Sequence, residues 1–294
     1  MSSLRNLRYP RDRGPFRSIT LIAFLLGALV LSVAPANASP EDPIPHPERD
    51  YMGSTIPDRS GDSLTWKEVE EALPQAQQAG IDVSHWQGSI NWSSVRGGGI
   101  VWAYMKATEG TSYTDPNFDS NYINSYNAGL IRGAYHFALP DRSSGAAQAR
   151  FFVNNGGNWS GDGKTLPPAL DIEYNPYGGS CYGLSDSQMV SWIRDFSNTV
   201  KSLSGRYPVI YTTLDWWSTC TGNNGGFGNS NALWIARWAS SPGTLPSGWG
   251  FWTFWQYTST GSVPGISGNV DRNVFNGALD RLQAFARCTE ENPC

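Results

Sequence analysis

Cysteine, methionine and histidine are all scarce in this chain: 4, 4 and 3 of 294 residues. That scarcity narrows the chemistry. There is no C-x-x-C pair, and His46, His85 and His136 form no H-E-x-x-H motif, so neither a zinc site nor any other cofactor is expected. Positive charge is also short, with 21 basic against 25 acidic residues and a formal net charge of −4. Nucleic-acid affinity comes from neutralising phosphates, so an acidic chain is a poor candidate for it. Plain charge would not tether the chain to an anionic surface either. Long apolar runs are missing except for Ile19–Val33, fifteen residues. That is short of the roughly 20 a spanning helix needs, and no stable membrane association is expected.

The apolar run has a context. Five arginines and one acid precede it in Met1–Arg17, and the small-x-small site Ala36-Asn37-Ala38 follows. Together these predict a signal peptide over residues 1–38 rather than a membrane anchor, and hence secretion. Its removal takes five basic and one acidic residue from the chain, leaving 16 and 24 and a formal charge of −8. Cys181, Cys220, Cys288 and Cys294 remain. An even number in an exported chain suggests two disulfides, with three connectivities open. Cys181 falls eight residues beyond Glu173 and Cys220 nine beyond Tyr211. The expected pairs are therefore Cys181–Cys220, across two loops, and Cys288–Cys294, closing a short C-terminal loop.

Residues 39–78 read as a Pro-rich linker or pro-segment. Five prolines lie between Pro40 and Pro57, and Thr65-Trp66-Lys67-Glu68 fits a capping box opening a short helix to about Leu73. From about 79 to 286 short apolar runs alternate with helical stretches, the pattern of βα units around a parallel sheet; residues 287–294 form a tail. Eight strands are predicted: Gly80–Ser84, Ile100–Lys106, Ile131–Phe137, Pro168–Glu173, Pro208–Thr212, Leu233–Arg237, Phe251–Tyr257 and a brief one near Asn269–Asp271. Predicted helices are Asn117–Ala128, Gly145–Asn154, Ser185–Ser202 and Asn276–Ala286. The later strands leave little room for helices. The expectation is one α/β domain, an irregular eight-stranded β/α barrel that ends more like a β-meander. No internal repeat is present, and a monomer is expected.

Nearly every predicted strand ends in a residue that a core strand would not choose: Asp82 with Ser84, Lys106, Tyr135 with His136, Asp171 with Glu173, Tyr211, Arg237, Gln256 and Asp271. In a parallel barrel these ends converge on one face, where active sites are built. In Asp171-Ile172-Glu173 the two carboxylates are two residues apart, so a strand turns both to one side. Like charges that close push one pKa up and keep a proton available near neutral pH. Glycoside hydrolysis needs such an acid to protonate the leaving oxygen. Taken alone, a D-x-E is more often a pair of solvated acids, and Asp82 and Asp271 could each be a surface charge. His136 suits a hydrogen-bonded strand-end role better than a base, and Lys106 with Glu109 suits a structural ion pair. All thirteen tryptophans follow residue 65. Aromatic faces stack on sugar rings, and Trp86, Tyr135, Tyr211, Trp234 and Trp255 lie nearest the strand ends and top loops, whereas Trp102 and Trp192 look like core.

The same stretches carry a family resemblance. GIDVSHWQG at 80–88, YMKATEGTSYTDPNF at 104–118, GAYHFA at 133–138, LDIE at 170–173, YPVIYT at 207–212, LWIARW at 233–238 and WQYTSTGSVPGISGNVDRN at 255–273 resemble glycoside hydrolase family 25, the Chalaropsis-type lysozymes. The resemblance implies a TIM-like barrel that hydrolyses the β-1,4 bond between N-acetylmuramic acid and N-acetylglucosamine in peptidoglycan glycan strands. It implies Glu173 as general acid. Asp171 would position the substrate's 2-acetamido group for substrate-assisted retention, and Asp82 and Asp271 would shape the reacting subsite. Tyr135, Phe137, Tyr211, Trp234, Trp255 and Gln256 are the expected substrate contacts. An inverting route through a water held by a second acid stays open. So do a chitinase-like hydrolase and a non-catalytic glycan-binding protein on the same fold.

Overall fold

A computed structural model describes residues 43–57 and 77–289. The expected signal peptide, the short helix after Thr65 and Cys294 lie outside the described residues. Nine strands form one sheet: β1 (Gln78–Val83), β2 (Trp102–Glu109), β3 (Tyr113–Thr114), β4 (Ile131–Phe137), β5 (Ala169–Asp171), β6 (Val209–Thr212), β7 (Leu233–Ala236), β8 (Phe254–Gly261) and β9 (Val270–Phe275). Neighbours run β1-β9-β8-β7-β6-β5-β4-β2-β3, and β1 also pairs with β2, so eight strands close into a barrel with β3 outside the ring. The ring is parallel from β1 through β2 and β4 to β8, whereas β9 runs antiparallel to both β8 and β1. The described helices are α1 (Trp92–Gly97), α2 (Phe118–Asn127), α3 (Gly145–Asn154), α4 (Asp186–Ser204), α5 (Leu214–Thr221) and α6 (Leu279–Arg287).

The expected eight strands are all present, and so is the meander-like close. Two short helices, α1 and α5, and the two-residue β3 were not expected. One expectation changes more. The brief strand near Asn269–Asp271 continues to Phe275. Asp271 therefore stands near the start of its strand, not at the C-terminal end, and the antiparallel direction of β9 is what brings it to the same mouth as the others.

Side-chain alternation sorts each strand. The inward face of the lower barrel is aromatic: Trp102, Tyr104, Trp234 and Phe254 pack together with ring centroids 4.6–6.1 Å apart. These rings fit because two facing positions have no side chain. A Cβ at Gly80 would lie 2.1 Å from the Trp102 ring, and one at Gly133 2.3 Å from the Tyr104 ring. The outward face packs on the helices. There His136 sits between Thr108 (2.7 Å) and Gln148 (2.9 Å) and stacks on Phe196, and burial pushes its imidazole down to about 3. It is a hydrogen-bonded strut, as expected. With aromatics filling the barrel floor, inward polar residues are confined to the mouth.

Candidate active site

Four acids converge at the mouth. Asp82 and Asp271 are directly opposed on the antiparallel pair β1 and β9. Asp171 ends β5, and Glu173 follows two residues later. All four are buried, with 0–3% of each exposed. Burial raises every one of these carboxyls, because the charged form loses water. Burial brings Glu173 up to about 7 against donors from Thr55 and Gly53, and Asp82 up to about 6 against donors from Asn273 and Gln256. Asp171 and Asp271 go well above the ordinary carboxylate range, each through burial and then the charge of its neighbour, Glu173 or Asp82. The mouth thus holds two carboxyl pairs, each tending to keep a proton at neutral pH.

The surroundings of the acids differ. Asp82 Oδ2 accepts from Asn273 Nδ2 (2.7 Å) and Gln256 Nε2 (3.1 Å). Each amide is itself oriented. Trp234 Nε1 donates to Asn273 Oδ1 at 2.9 Å, while Tyr211 Oη and Trp238 Nε1 donate to Gln256 Oε1 at 2.8 and 3.0 Å. Asp171 is the opposite case: neither of its oxygens has a well-aligned hydrogen-bond partner among the described residues. A buried carboxyl left in that state is unusual and fits a group awaiting a ligand's donor.

The structure brings Tyr135, Tyr211 and Gln256 to the mouth with the acids. Phe137 is buried beneath the Lys106 ammonium, 5.3 Å from the ring centre, and Lys106 pairs with Glu109 at 2.6 Å. Trp234 sits lower, in the aromatic floor, and reaches the site through its bond to Asn273 and its edge-on contact with Tyr211 at 5.4 Å. Trp255 lies on the opposite strand face from Gln256. It packs against Trp252 and Tyr257, and its indole donates to Arg237 O. Arg237 is exposed and bonds to Ser241. Trp86 stands at the rim, 56% exposed, on a turn whose Ser84 and Gln87 form a capping box. Cys181 and Cys220 are joined, as expected, tying the loop after β5 to α5. The second expected pair has its far end outside the described residues.

Sequence reasoning missed two parts of the site. Asn273 carries no charge to flag it, although it is two residues from Asp271 on an inward face. Residues 43–57, read as part of a Pro-rich linker or pro-segment, pack into the mouth. Gly53 N–H donates to Glu173 Oε1 at 2.7 Å, and Thr55 Oγ1 donates to Oε2 at 2.6 Å. The apolar pair Tyr51-Met52 among the prolines was the available signal.

Buried, proton-holding carboxyls at the C-terminal mouth of a β/α barrel define a glycoside-hydrolase type of site. The family model for glycosyl hydrolases family 25 matches residues 81–266. Lysozyme M1 of Streptomyces globisporus is 51% identical over 286 residues, covering 94% of this chain and 97% of that one. The N,O-diacetylmuramidase of Chalaropsis sp is 45% identical over 211 residues, 70% of this chain and 98% of its own. The crystal structure of the bacterial lysozyme from Streptomyces coelicolor superposes with a TM-score of 0.71 at 58% identity, covering 71% of this chain and 97% of that one. The chain belongs to glycosyl hydrolase family 25, and it is a glycosidase. The last two relatives are matched almost end to end by a stretch the size of the barrel.

Proposed function

We propose that the protein is a secreted muramidase that cleaves the β-1,4 bond between N-acetylmuramic acid and N-acetylglucosamine in peptidoglycan. The observation that carries this reading is the buried, mutually interacting Asp171–Glu173 pair, in which Glu173 is raised to about 7 and neither oxygen of Asp171 has a well-aligned donor among the described residues. Glu173 would protonate the glycosidic oxygen as the bond to the muramic acid C1 breaks. Asp171 would accept the N–H of that sugar's 2-acetamido group and turn its carbonyl oxygen onto C1, so the substrate itself acts as nucleophile. Water would then open the cyclic intermediate, with Glu173 taking its proton, and the product would keep the β configuration. Asp82 and Asp271 would line the far wall of the same subsite. The relatives named for lysozyme and muramidase activity support the substrate. The residue 1–38 pattern and the Cys181–Cys220 bond support export to an oxidising compartment.

The test is hydrolysis of purified peptidoglycan followed by borohydride reduction and mass analysis. New reducing ends should be N-acetylmuramic acid. New N-acetylglucosamine ends, or activity on chitin alone, would replace the reading. Glu173→Gln keeps the shape and loses the proton. General acid catalysis contributes on the order of 10²–10⁴-fold, and the rate should fall by at least that range. Full activity in this variant would remove Glu173 from the role.

A further inference from the structure

We propose that residues 43–57 are an inhibitory pro-segment that occupies the glycan cleft in the substrate's place; the inference rests on the muramidase reading above. The segment engages the cleft over most of its length. Ile44 packs on Leu139 and Gly110. Lys106 donates to the backbone carbonyls of Pro47 and Asp50, and Tyr177 donates to the Asp50 carboxylate. Tyr51 stacks on Trp86, centroids 5.5 Å apart and planes at 25°, on the aromatic face a sugar ring would use. Met52 is fully buried among the barrel aromatics, and its N–H donates to Tyr135 Oη at 3.3 Å. Gly53, with φ +85°, fits where a side chain would not: a Cβ there would lie 3.1 Å from Tyr211 Oη and 3.2 Å from Gln256 Oε1.

Three consequences follow. The four acids are sealed from solvent, although a polymer-cleaving site must open to its substrate. A cavity of about 730 Å³ lies beside the segment's exit, bounded by Ile56, Pro57, Tyr174, Asp215, Arg237 and Trp238, and none of Asp82, Asp171, Glu173 and Asp271 lines it. The segment also presents only donors to Glu173: the Gly53 N–H, the Thr55 N–H at 3.3 Å and the Thr55 hydroxyl. Donors aimed at both oxygens favour the ionised carboxylate, so the segment blocks the acid and also works against the proton it must give. Finally, the segment adds nothing to the barrel wall. Gln78 enters β1 opposite Phe275, at the far end from the mouth, and the Chalaropsis and Streptomyces coelicolor relatives are matched almost end to end by a barrel-sized stretch, whereas Lysozyme M1 is matched over 286 residues.

The test uses the full chain with a specific protease site inserted between residues 57 and 77. Peptidoglycan hydrolysis and binding of a soluble N-acetylglucosamine–N-acetylmuramic acid tetrasaccharide are measured before and after the cut. Cutting and dilution should raise turnover by more than about tenfold, since apparent affinity falls with the fraction of competent sites. A synthetic peptide of residues 43–57, added back, should inhibit competitively. In the uncut chain, Gly53→Val should raise activity by lifting the segment, and Thr55→Ala should do so more weakly, with neither altering the cut enzyme. If the uncut chain is as active as the cut one and Gly53→Val changes nothing, the inference is wrong while the muramidase reading stands. If the cut chain gains tetrasaccharide binding but never hydrolyses, the inference holds and the muramidase reading fails. If neither form binds or hydrolyses, both fall.

Discussion

At the scale of single residues, the site depends on amides that are themselves held. Asn273 and Gln256 point their NH2 groups at Asp82 because Trp234, Tyr211 and Trp238 donate to their oxygens. Burial raises Asp82 to about 6, and the two amide donors work against that rise. Asn273→Leu removes one donor and leaves the buried Trp234 indole unpaired. An unsatisfied buried group costs about 1–3 kcal/mol, so denaturant titration should show a loss of that order. Losing a donor to the ionised form also raises Asp82 further. If activity needs Asp82 ionised, the acidic limb of the kcat profile should move to higher pH. A variant with wild-type stability and an unmoved acidic limb would remove Asn273 from this role.

At the scale of elements, the rim over β5 and β6 is pinned by two kinds of bond. Cys181, in the loop after β5, is bonded to Cys220 in α5, and Trp216 Nε1 of α5 donates to Ser180 O at 3.0 Å. The disulfide closes a 39-residue separation. A bridge of this kind contributes about 2–4 kcal/mol, by limiting the unfolded chain in the chain-entropy account. The double variant Cys181→Ser/Cys220→Ser should lose that much stability in denaturant titration. Activity at 25 °C should be kept, because the Trp216 bond still joins the same loops and neither cysteine faces the acids. Loss of activity without loss of stability would show that the bridge shapes the cleft rather than bracing it.

At the scale of the whole molecule, the buried acids set how stability depends on pH. A carboxyl whose folded value is raised holds a proton that the unfolded chain has released, so stability falls as pH rises toward the folded value. Asp82 at about 6, Glu173 at about 7 and Glu109 at about 8, raised by burial against the Lys106 charge, all act in this direction. His136, pushed down to about 3, acts the other way, but only up to the ordinary imidazole value near 6.5. From pH 6.5 to 8 the carboxyls therefore act alone. One such proton is worth about 1.4 kcal/mol per pH unit, which converts to a fall in Tm of roughly 4–8 °C across that window. Glu173→Gln should make the fall smaller. A Tm that is flat or rising between pH 6.5 and 8, read by calorimetry, would contradict these raised values.

The sequence by itself determined the strands and the residues that end them. Short apolar runs between helical stretches mark β1, β2, β4 and the rest, and Asp82, Asp171, Glu173 and Gln256 stand out because a buried strand rarely carries such groups. It determined α4 as well, through the Ser185–Gln188 capping box, where Gln188 accepts from Ser185 N–H at 2.9 Å. The short helices α1 and α5 were not legible, since six and eight residues show too little period, although Asn91 and Thr213 do cap them. Tertiary structure alone decided which aromatics face the cleft. Trp255 and Gln256 are sequence neighbours, but one packs outward on Trp252 and the other inward on Asp82. It also decided the direction of β9, which carries Asp271 to the mouth, and the seating of residues 43–57. A Pro-rich stretch has no helical or strand period, and its internal backbone bonds are three isolated turns, Arg49 to His46, Ser54 to Tyr51 and Ile56 to Gly53. Its seating follows from Glu173, Lys106 and Tyr135, residues 56 to 120 positions away, which supply hydrogen-bond partners that its own turns leave unmet.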